Sequence, residues 1–287
     1  MLLSTIGLWA LNLTVSRYIL THGFQPLAYS STRYGLAAAI FVGLTLALER
    51  SLRLSRRDLG IAGAAAAVVY VNQIAFVYCL ERTTASVLGI LLGATPIFAG
   101  LLGIAARIER PPSRFWLGAL MSFAGVALVA LGSGGELSGD LGGVLLGVIT
   151  AATWAAYSLL VVPLMRRHSA THVSAVVLGL ASVPITLTAI PQLRDQDWDL
   201  GGTVWLLFAF AVVGPLVVTN ELWFRALDRI GAARATLAAN LQPFVAAAIA
   251  VVLLSETLSP VQLAGGVLIA IGILAARRRR GPAAPGE

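Results

Sequence analysis

The chain has 287 residues, of which 58% are hydrophobic and only 11% are charged, and its formal net charge is +7. A soluble domain of this length would carry about 25% charged residues, so the composition excludes an ordinary soluble protein and favours lipid as the surrounding solvent. All 20 basic residues are Arg, which excludes a P-loop nucleotide site because that motif needs a Lys. The single cysteine, Cys79, excludes an internal disulfide.

Ten segments are long and apolar enough to cross a bilayer, which takes roughly 20 residues per helix. The first has no basic n-region and no small-residue cleavage site, so it is interpreted as a span and not as a signal peptide. Because the connections are short, the sequence predicts an all-α membrane protein of ten transmembrane helices without a soluble domain. The predicted spans are 2–20, 26–48, 59–79, 84–106, 114–132, 140–162, 172–191, 203–224, 232–254 and 260–276.

The distribution of arginine predicts the orientation of these spans. If both termini are cytoplasmic, the outer connections contain only Arg82 and Arg194. This is a strong positive-inside pattern, and it leaves no basic stripe of the kind that binds nucleic acid. The basic tail, 277–287, is expected to lie against anionic lipid on the cytoplasmic side. The inner connections contain Arg50, Arg53, Arg56, Arg57, Arg107, Arg110, Arg114, Arg166, Arg167, Arg225 and Arg229, followed by Arg277 to Arg280.

The stretch from Leu80 to Gly125 repeats at Leu227 to Gly272, without a gap, after a shift of 147 positions. We therefore interpret 1–132 and 133–276 as two five-helix repeats. Because five is odd, the second repeat must insert upside down. Inverted repeats are typical of secondary transporters, whose substrate site lies near the bilayer midplane at the repeat interface. The residues that recur at this spacing are Pro96, Glu109, Gly118 and Gly125, matched by Pro243, Glu256, Gly265 and Gly272.

Three stretches carry a family resemblance: WALNLTVSR with Trp9, Asn12 and Arg17; STRYGLAAA with Arg33; and the second-half run from Pro243 to Gly272. Together they resemble the drug/metabolite transporter superfamily, in its ten-helix branch with two EamA-type domains. Within it the chain is most similar to bacterial exporters of aromatic amino acids and paraquat. This resemblance implies efflux of amino acids, aromatic and other neutral ones, or of similar amphipathic metabolites, across the inner membrane without ATP or a cofactor. In the second half, Trp9 and Asn12 become Trp154 and Tyr157, and Arg33 has no clear match.

Polar side chains within a span are costly unless they face protein or a water-filled cavity. The candidates here are rich in amides and aromatic rings. A cavity of this composition suits a small zwitterion, because rings accept apolar side chains and amides bind ammonium or carboxylate groups. Ordinary packing is the alternative for the aromatic residues, and hydrogen bonding between helices is the alternative for the amides. The expected cavity residues are Asn12, Ser16, Tyr70, Gln73, Tyr78, Trp154, Tyr157, Asn220, Trp223 and Asn240.

Three charged residues are candidates for a gate. Arg17 and Arg33 fall in the outer parts of the first two spans, where they would snorkel to the interface, pair with Glu81, or meet a substrate carboxylate. Glu221 lies four residues before Arg225, so an i,i+4 ion pair competes with a role in proton coupling.

Two prolines fall in the middle of predicted spans. Pro96 and Pro243 cannot donate to the carbonyls of Leu92 and Ala239 and clash with them, so each helix should be kinked there. We predict that these positions are hinges, with a static kink as the alternative. Glu109 and Glu256 fall at the ends of spans, where helix-end hydrogen bonding is the expected role.

Signals for an enzyme are absent. His168 and His172 are four apart, but no Cys lies nearby and no carboxylate lies between them, and no hydrolase or metalloprotease motif occurs. We expect no metal site and no cofactor. The alternatives to an amino-acid exporter are a multidrug or metabolite exporter of the same fold, a passive channel or scaffold, and an intramembrane enzyme. The expected partners are a small-molecule substrate and membrane lipid, and the oligomeric state stays open, with a monomer among the alternatives.

Overall fold

The computed structural model describes residues 2–132, 140–246, 248 and 259–276, and the regular structure in these ranges is helical without a β-strand. A π-helical segment, Val213–Val218, joins the α-helices Gly201–Val212 and Thr219–Ile230, and residues 242–246 are also helical. Glu256 and the basic tail lie outside the described residues. The helices are α1 Leu2–Thr21, α2 Pro26–Glu49, α3 Arg56–Arg82, α4 Ala85–Leu92, α5 Thr95–Ala105, α6 Ser113–Gly132, α7 Leu141–Met165, α8 Ala170–Asp195, α9 Gly201–Val212, α10 Thr219–Ile230, α11 Ala232–Ala239 and α12 Pro260–Ala276.

Seven segments of the described chain are long and apolar enough to cross a bilayer. Many large apolar side chains point outward, and Leu48, Leu141 and Leu206 are each more than 70% exposed. A protein surface of this kind is stable against lipid, where exposed leucine is not penalised. The spanning segments are α2, α3, Ser86–Ala105, α6, α7, α8 and Gly201–Ile230, and Pro260–Ala276 is a shorter apolar helix.

Four glycines bring α6 and α12 into backbone contact. A Cβ atom on Gly125 would lie 2.6 Å from the carbonyl oxygen of Gly265, and one on Gly118 would collide with the carbonyl of Gly272. Only glycine allows two helices to approach this closely, and such small-residue faces are the usual means of tight packing in lipid. The remaining large interfaces are α2 with α8, α3 with α7, and α3 with α8.

Helix interruptions occur near the two mid-span prolines, and a π-helical segment occurs at a third proline. α4 ends at Leu92 and α11 ends at Ala239, so the helix is interrupted four residues before Pro96 and Pro243, and their role as hinges stays a prediction. The predicted span 203–224 lies within the continuous helical segment Gly201–Ile230, and Pro215 lies in its π-helical part between α9 and α10. Since proline lacks an N–H, the helix widens locally rather than closing its usual i to i−4 bond.

Candidate functional site

A cavity of about 140 Å³ lies at the centre of the bundle. Its wall is formed by residues of α1 to α8, α10 and α11, together with the interruption after α4, the π-helical segment before α10 and the residues after α11. Eight of the residues that the sequence proposes for the site or its moving parts lie on this wall, and their contact with a substrate remains a prediction. They are Asn12, Arg33, Gln73, Trp154, Tyr157, Asn220, Asn240 and Pro243.

Four residues predicted for the cavity do not belong to its lining among the described residues. Ser16 is fully buried and hydrogen-bonds to Tyr29 at 2.9 Å. Trp223 is also fully buried, and its ring packs behind the wall against Trp9 at 4.9 Å between centroids. The other two face α8: Tyr70 bonds to Thr188 at 2.9 Å, and Tyr78 accepts a bond from Gln192 at 3.4 Å.

Three residues of the predicted gate and hinge also lie off the described wall. Arg17 donates to the carbonyl oxygen of Leu80 and makes no ion pair with Glu81. Glu221 accepts two bonds from Arg225, the shorter at 2.6 Å, so the i,i+4 ion pair is confirmed. Pro96 lies in the first turn of α5, directly after the helix interruption.

The predicted set omitted several wall residues. Trp9 is the most prominent of these, and its position one turn before Asn12 on α1 was the available signal. Asn72 is adjacent to Gln73 in sequence and shares the wall with it. The other omitted polar residues are Tyr34, Thr95, Thr150, Thr219, Thr236 and Gln242.

Aromatic rings form one side of the cavity. The indoles of Trp9 and Trp154 meet edge to face, with centroids 5.4 Å apart, and Tyr157 lies 5.5 Å from Trp154. Trp223 supports both indoles from behind. Aromatic pairs at these distances hold each other rigidly, so the rings offer a preformed apolar surface.

Arg33 is the one charged residue on the described wall, and it is 5% exposed. Its Nε donates to the carbonyl oxygen of Ala211 at 3.2 Å, and its guanidinium lies 5.6 Å from the ring centre of Tyr29. No acidic side chain of the described residues forms an ion pair with it. Because Pro215 has no N–H to offer the carbonyl four residues back, the helix interruption leaves Ala211 free to hold Arg33.

The same interruption also holds an indole. Trp9 donates its Nε1 hydrogen to the carbonyl oxygen of Pro215 at 3.2 Å. Pro215 therefore positions two wall residues, one charged and one aromatic, through two carbonyl groups. The carbonyl oxygen of Pro215 also accepts a hydrogen bond from the hydroxyl of Thr219.

Three of the wall amides direct their N–H groups to partners within the protein. Gln73 donates to Asn72 at 2.9 Å, Asn240 donates to the carbonyl of Gly93 at 3.0 Å, and Gln242 donates to the carbonyl of Trp9 at 3.0 Å. The side-chain oxygens of Gln73, Asn240 and Gln242 receive no hydrogen bond from the described residues. An amide oxygen is an acceptor, so these atoms can receive an ammonium group.

Sequence comparisons associate the chain with known transporters. Matches to the EamA-like transporter family cover residues 1–131 and 141–278. An uncharacterized transporter of Bacillus subtilis is 26% identical over 253 residues, covering 87% of this chain and 83% of its own. A probable amino-acid metabolite efflux pump of Salmonella typhimurium is 26% identical over 289 residues, covering 94% and 91%. A probable terminal-alkyne amino-acid exporter of Streptantibioticus cattleyicolor is 24% identical over 302 residues, covering 95% and 94%.

A structural comparison finds the same fold in a solved protein. One crystal structure aligns with a TM-score of 0.76 over 96% of this chain and 94% of that chain, at 19% identity. At this identity the likeness establishes the fold alone.

Proposed function

Because the chain belongs to the EamA-like transporter family and is a multi-pass transporter of the bacterial inner membrane, we propose that it exports amino acids, aromatic and other neutral ones, or similar small amphipathic metabolites. Two of its relatives are named as a probable amino-acid metabolite efflux pump and a probable amino-acid exporter. The observation that carries the proposal is a cavity with one guanidinium, free amide oxygens and indole rings on the same wall.

Each of these groups matches one part of an amino acid. Arg33 would bind the carboxylate, because its outer N–H groups form a fork that fits two carboxylate oxygens. The oxygens of Gln73, Asn240 and Gln242 would accept bonds from the ammonium group. Trp9 and Trp154 would pack against the side chain. The alternative of a multidrug exporter for cationic compounds is disfavoured, since Arg33 would repel a cation in a site of low dielectric.

We further propose ten spanning helices in two inverted repeats, 1–132 and 133–276, with both termini in the cytoplasm. Support comes from the wall itself, where residues 147 positions apart lie in pairs. Asn240 bonds directly to Gly93, its equivalent in the first repeat. A two-fold axis through this contact would relate the two halves and would place the cavity on the axis, as alternating access requires. The wall pairs are Val69 and Leu216, Asn72 and Thr219, Gln73 and Asn220, Gly89 and Thr236, Leu92 and Ala239, Gly93 and Asn240, and Thr95 and Gln242.

Counterflow tests the proposed function directly. Purified protein in liposomes preloaded with an unlabelled amino acid should take up the labelled compound with saturation. Trp154→Ala and Asn12→Ala should reduce this uptake, whereas Trp198→Ala, which removes an exposed indole that does not line the cavity, should not. A passive channel would give flux without saturation or counterflow. Folded protein that moves none of these solutes would contradict the amino-acid assignment and leave other metabolites to be tested.

A further inference from the structure

A carboxylate from the first half of the chain caps a helix of the second half. Glu109 follows α5, and its side-chain oxygens accept the backbone N–H of Ala232 at 2.5 Å and that of Ala233 at 3.0 Å. These are the first two residues of α11. The contact lies at the end of the bundle that holds Arg110 and Arg166, which the arginine distribution predicts to be cytoplasmic.

The equivalent helix of the first half, α4, is capped by the residue that precedes it. α4 begins after Thr84, whose hydroxyl oxygen accepts the N–H of Val87 at 3.3 Å. The residue 147 positions later is Gly231, which precedes α11 and has no side chain to act as a cap. A helix begins with unpaired N–H groups that require an acceptor, and α11 obtains its acceptor from Glu109.

Gly231 is also the residue that makes room for this carboxylate. Its φ angle is +79°, which side chains rarely adopt, and a Cβ atom there would lie 2.7 Å from Oε1 of Glu109. Thus the geometry before α11 depends on glycine twice, once for the backbone conformation and once for the space that Glu109 occupies.

α11 connects this cap to the central cavity. Its first turn is held by Glu109, while Thr236 and Ala239 lie on the cavity wall. The next residue, Asn240, bonds to the carbonyl of Gly93 in the first half. At 1.5 Å per residue the helix is roughly 12 Å long, so α11 separates the cavity from the cytoplasmic end of the bundle.

A second cleft lies on the other side of the cap. It has a volume of about 320 Å³ and is lined by Glu109 itself and by the charged residues Arg110, Arg166, Asp228 and Arg234. Such a polar cleft admits water, so the first turn of α11 and its cap form the boundary between a hydrated entrance and the cavity.

We propose that Glu109 is a latch that keeps the cavity closed toward the arginine-rich end. While its carboxylate caps α11, the first turn of that helix is fixed to the first half of the chain. When the cap is released, the first turn moves away from α5 and opens the cavity to the 320 Å³ cleft. The inference rests on the proposed transport function, since it describes how access to the same cavity is controlled.

Cysteine accessibility tests the latch without requiring a substrate. Cys79 is the only cysteine, so Cys79→Ala gives a background to which Ala239→Cys adds one reporter on the cavity wall. A membrane-impermeant maleimide is applied to inside-out vesicles, from the arginine-rich side. Glu109→Ala should raise the labelling rate of the reporter about tenfold, which corresponds to a shift of about 1.4 kcal/mol in the closed state. Glu109→Gln, which keeps one acceptor oxygen without the charge, should give an intermediate rate.

Two further variants make the test specific. Gly231→Ala should raise labelling as Glu109→Ala does, because its Cβ would displace the carboxylate. Asp228→Ala removes an exposed carboxylate of the same cleft that forms no hydrogen bond in the described structure, and it should leave labelling unchanged. Unchanged labelling in folded Glu109→Ala or Glu109→Gln protein overturns the latch, even if transport is normal. Raised labelling in a protein that moves no amino acid supports the latch and removes only the amino-acid assignment.

Discussion

Replacing Arg33 by leucine should separate recognition of the carboxylate from the rest of binding. Trp9 and Asn12 coincide with Trp154 and Tyr157 after a shift of 145 positions, and the same shift places Arg33 on Leu178, which also lines the cavity. Arg33→Leu therefore copies a side chain that the bundle already accommodates at the related position.

The magnitude follows from the burial of the guanidinium, which is 5% exposed and unpaired by any described carboxylate. Truncating one member of a buried charge pair costs about 2–5 kcal/mol, so the KM for phenylalanine should rise at least about 30-fold. The KM of Arg33→Lys should lie between those of the parent protein and Arg33→Leu. One ammonium group cannot both donate to the carbonyl of Ala211 and present a planar pair of donors to the carboxylate. Phenethylamine, a cation that lacks the carboxylate, should lose no affinity in Arg33→Leu and should gain some, because the repulsion by the guanidinium is removed.

The assay is counterflow into proteoliposomes at a series of substrate concentrations, with Arg194→Leu as a control that removes an exposed arginine at the end of α8. Loss of Arg33 also leaves the carbonyl of Ala211 unpaired, which costs about 1–3 kcal/mol of stability. Thermal unfolding in detergent therefore has to accompany the transport data. If folded Arg33→Leu protein retains the parent KM for phenylalanine, the carboxylate site lies elsewhere and the reasoning is wrong.

Three other predictions concern packing, movement and topology. Gly125→Ala should lower the unfolding temperature, because its Cβ would lie 2.6 Å from the backbone of α12 and overpacking of this kind costs about 1–3 kcal/mol. The control Gly179→Ala should not lower it, because a Cβ at Gly179 has no neighbouring atom within 4 Å. Pro96→Ala should slow transport without unfolding the protein if the interruption between α4 and α5 is a hinge, and a normal rate would leave only a static bend. Reporter fusions should read cytoplasmic at His168 and external at Gln196, and the opposite pattern would invert the proposed orientation.

The course of the backbone was largely predictable, because run length and proline position are local properties. The interruptions after Leu92 and Ala239 follow from the ring of the proline four residues later. The same argument applies to Pro215, but the surrounding span is so hydrophobic that it was predicted as one uniform helix. The π-helical segment at Pro215 was therefore missed.

Which side chains face the cavity was less predictable. In water, an apolar face identifies the side of a helix that packs inward. In lipid both faces are apolar, so periodicity does not distinguish Gln73, which faces the cavity, from Tyr70 three residues earlier, which faces α8. The helix-end role expected for Glu109 was predictable from its place at the end of a span, whereas its partner on α11 was not, because only the tertiary fold brings the two halves together.

If the two halves are inverted repeats, as we propose, the departures from symmetry between them affect the balance between the two access states. A perfect repeat would make the two access states equal in energy. Here the cap of α4 is Thr84, within its own half, whereas the cap of α11 is Glu109, across the halves. Breaking the contact between halves therefore costs stability at the arginine-rich end, with no equivalent cost from Thr84 at the other end. That difference would favour the state closed toward the arginine-rich side when the cavity is empty, and substrate binding would then have to offset it before the cavity opens there.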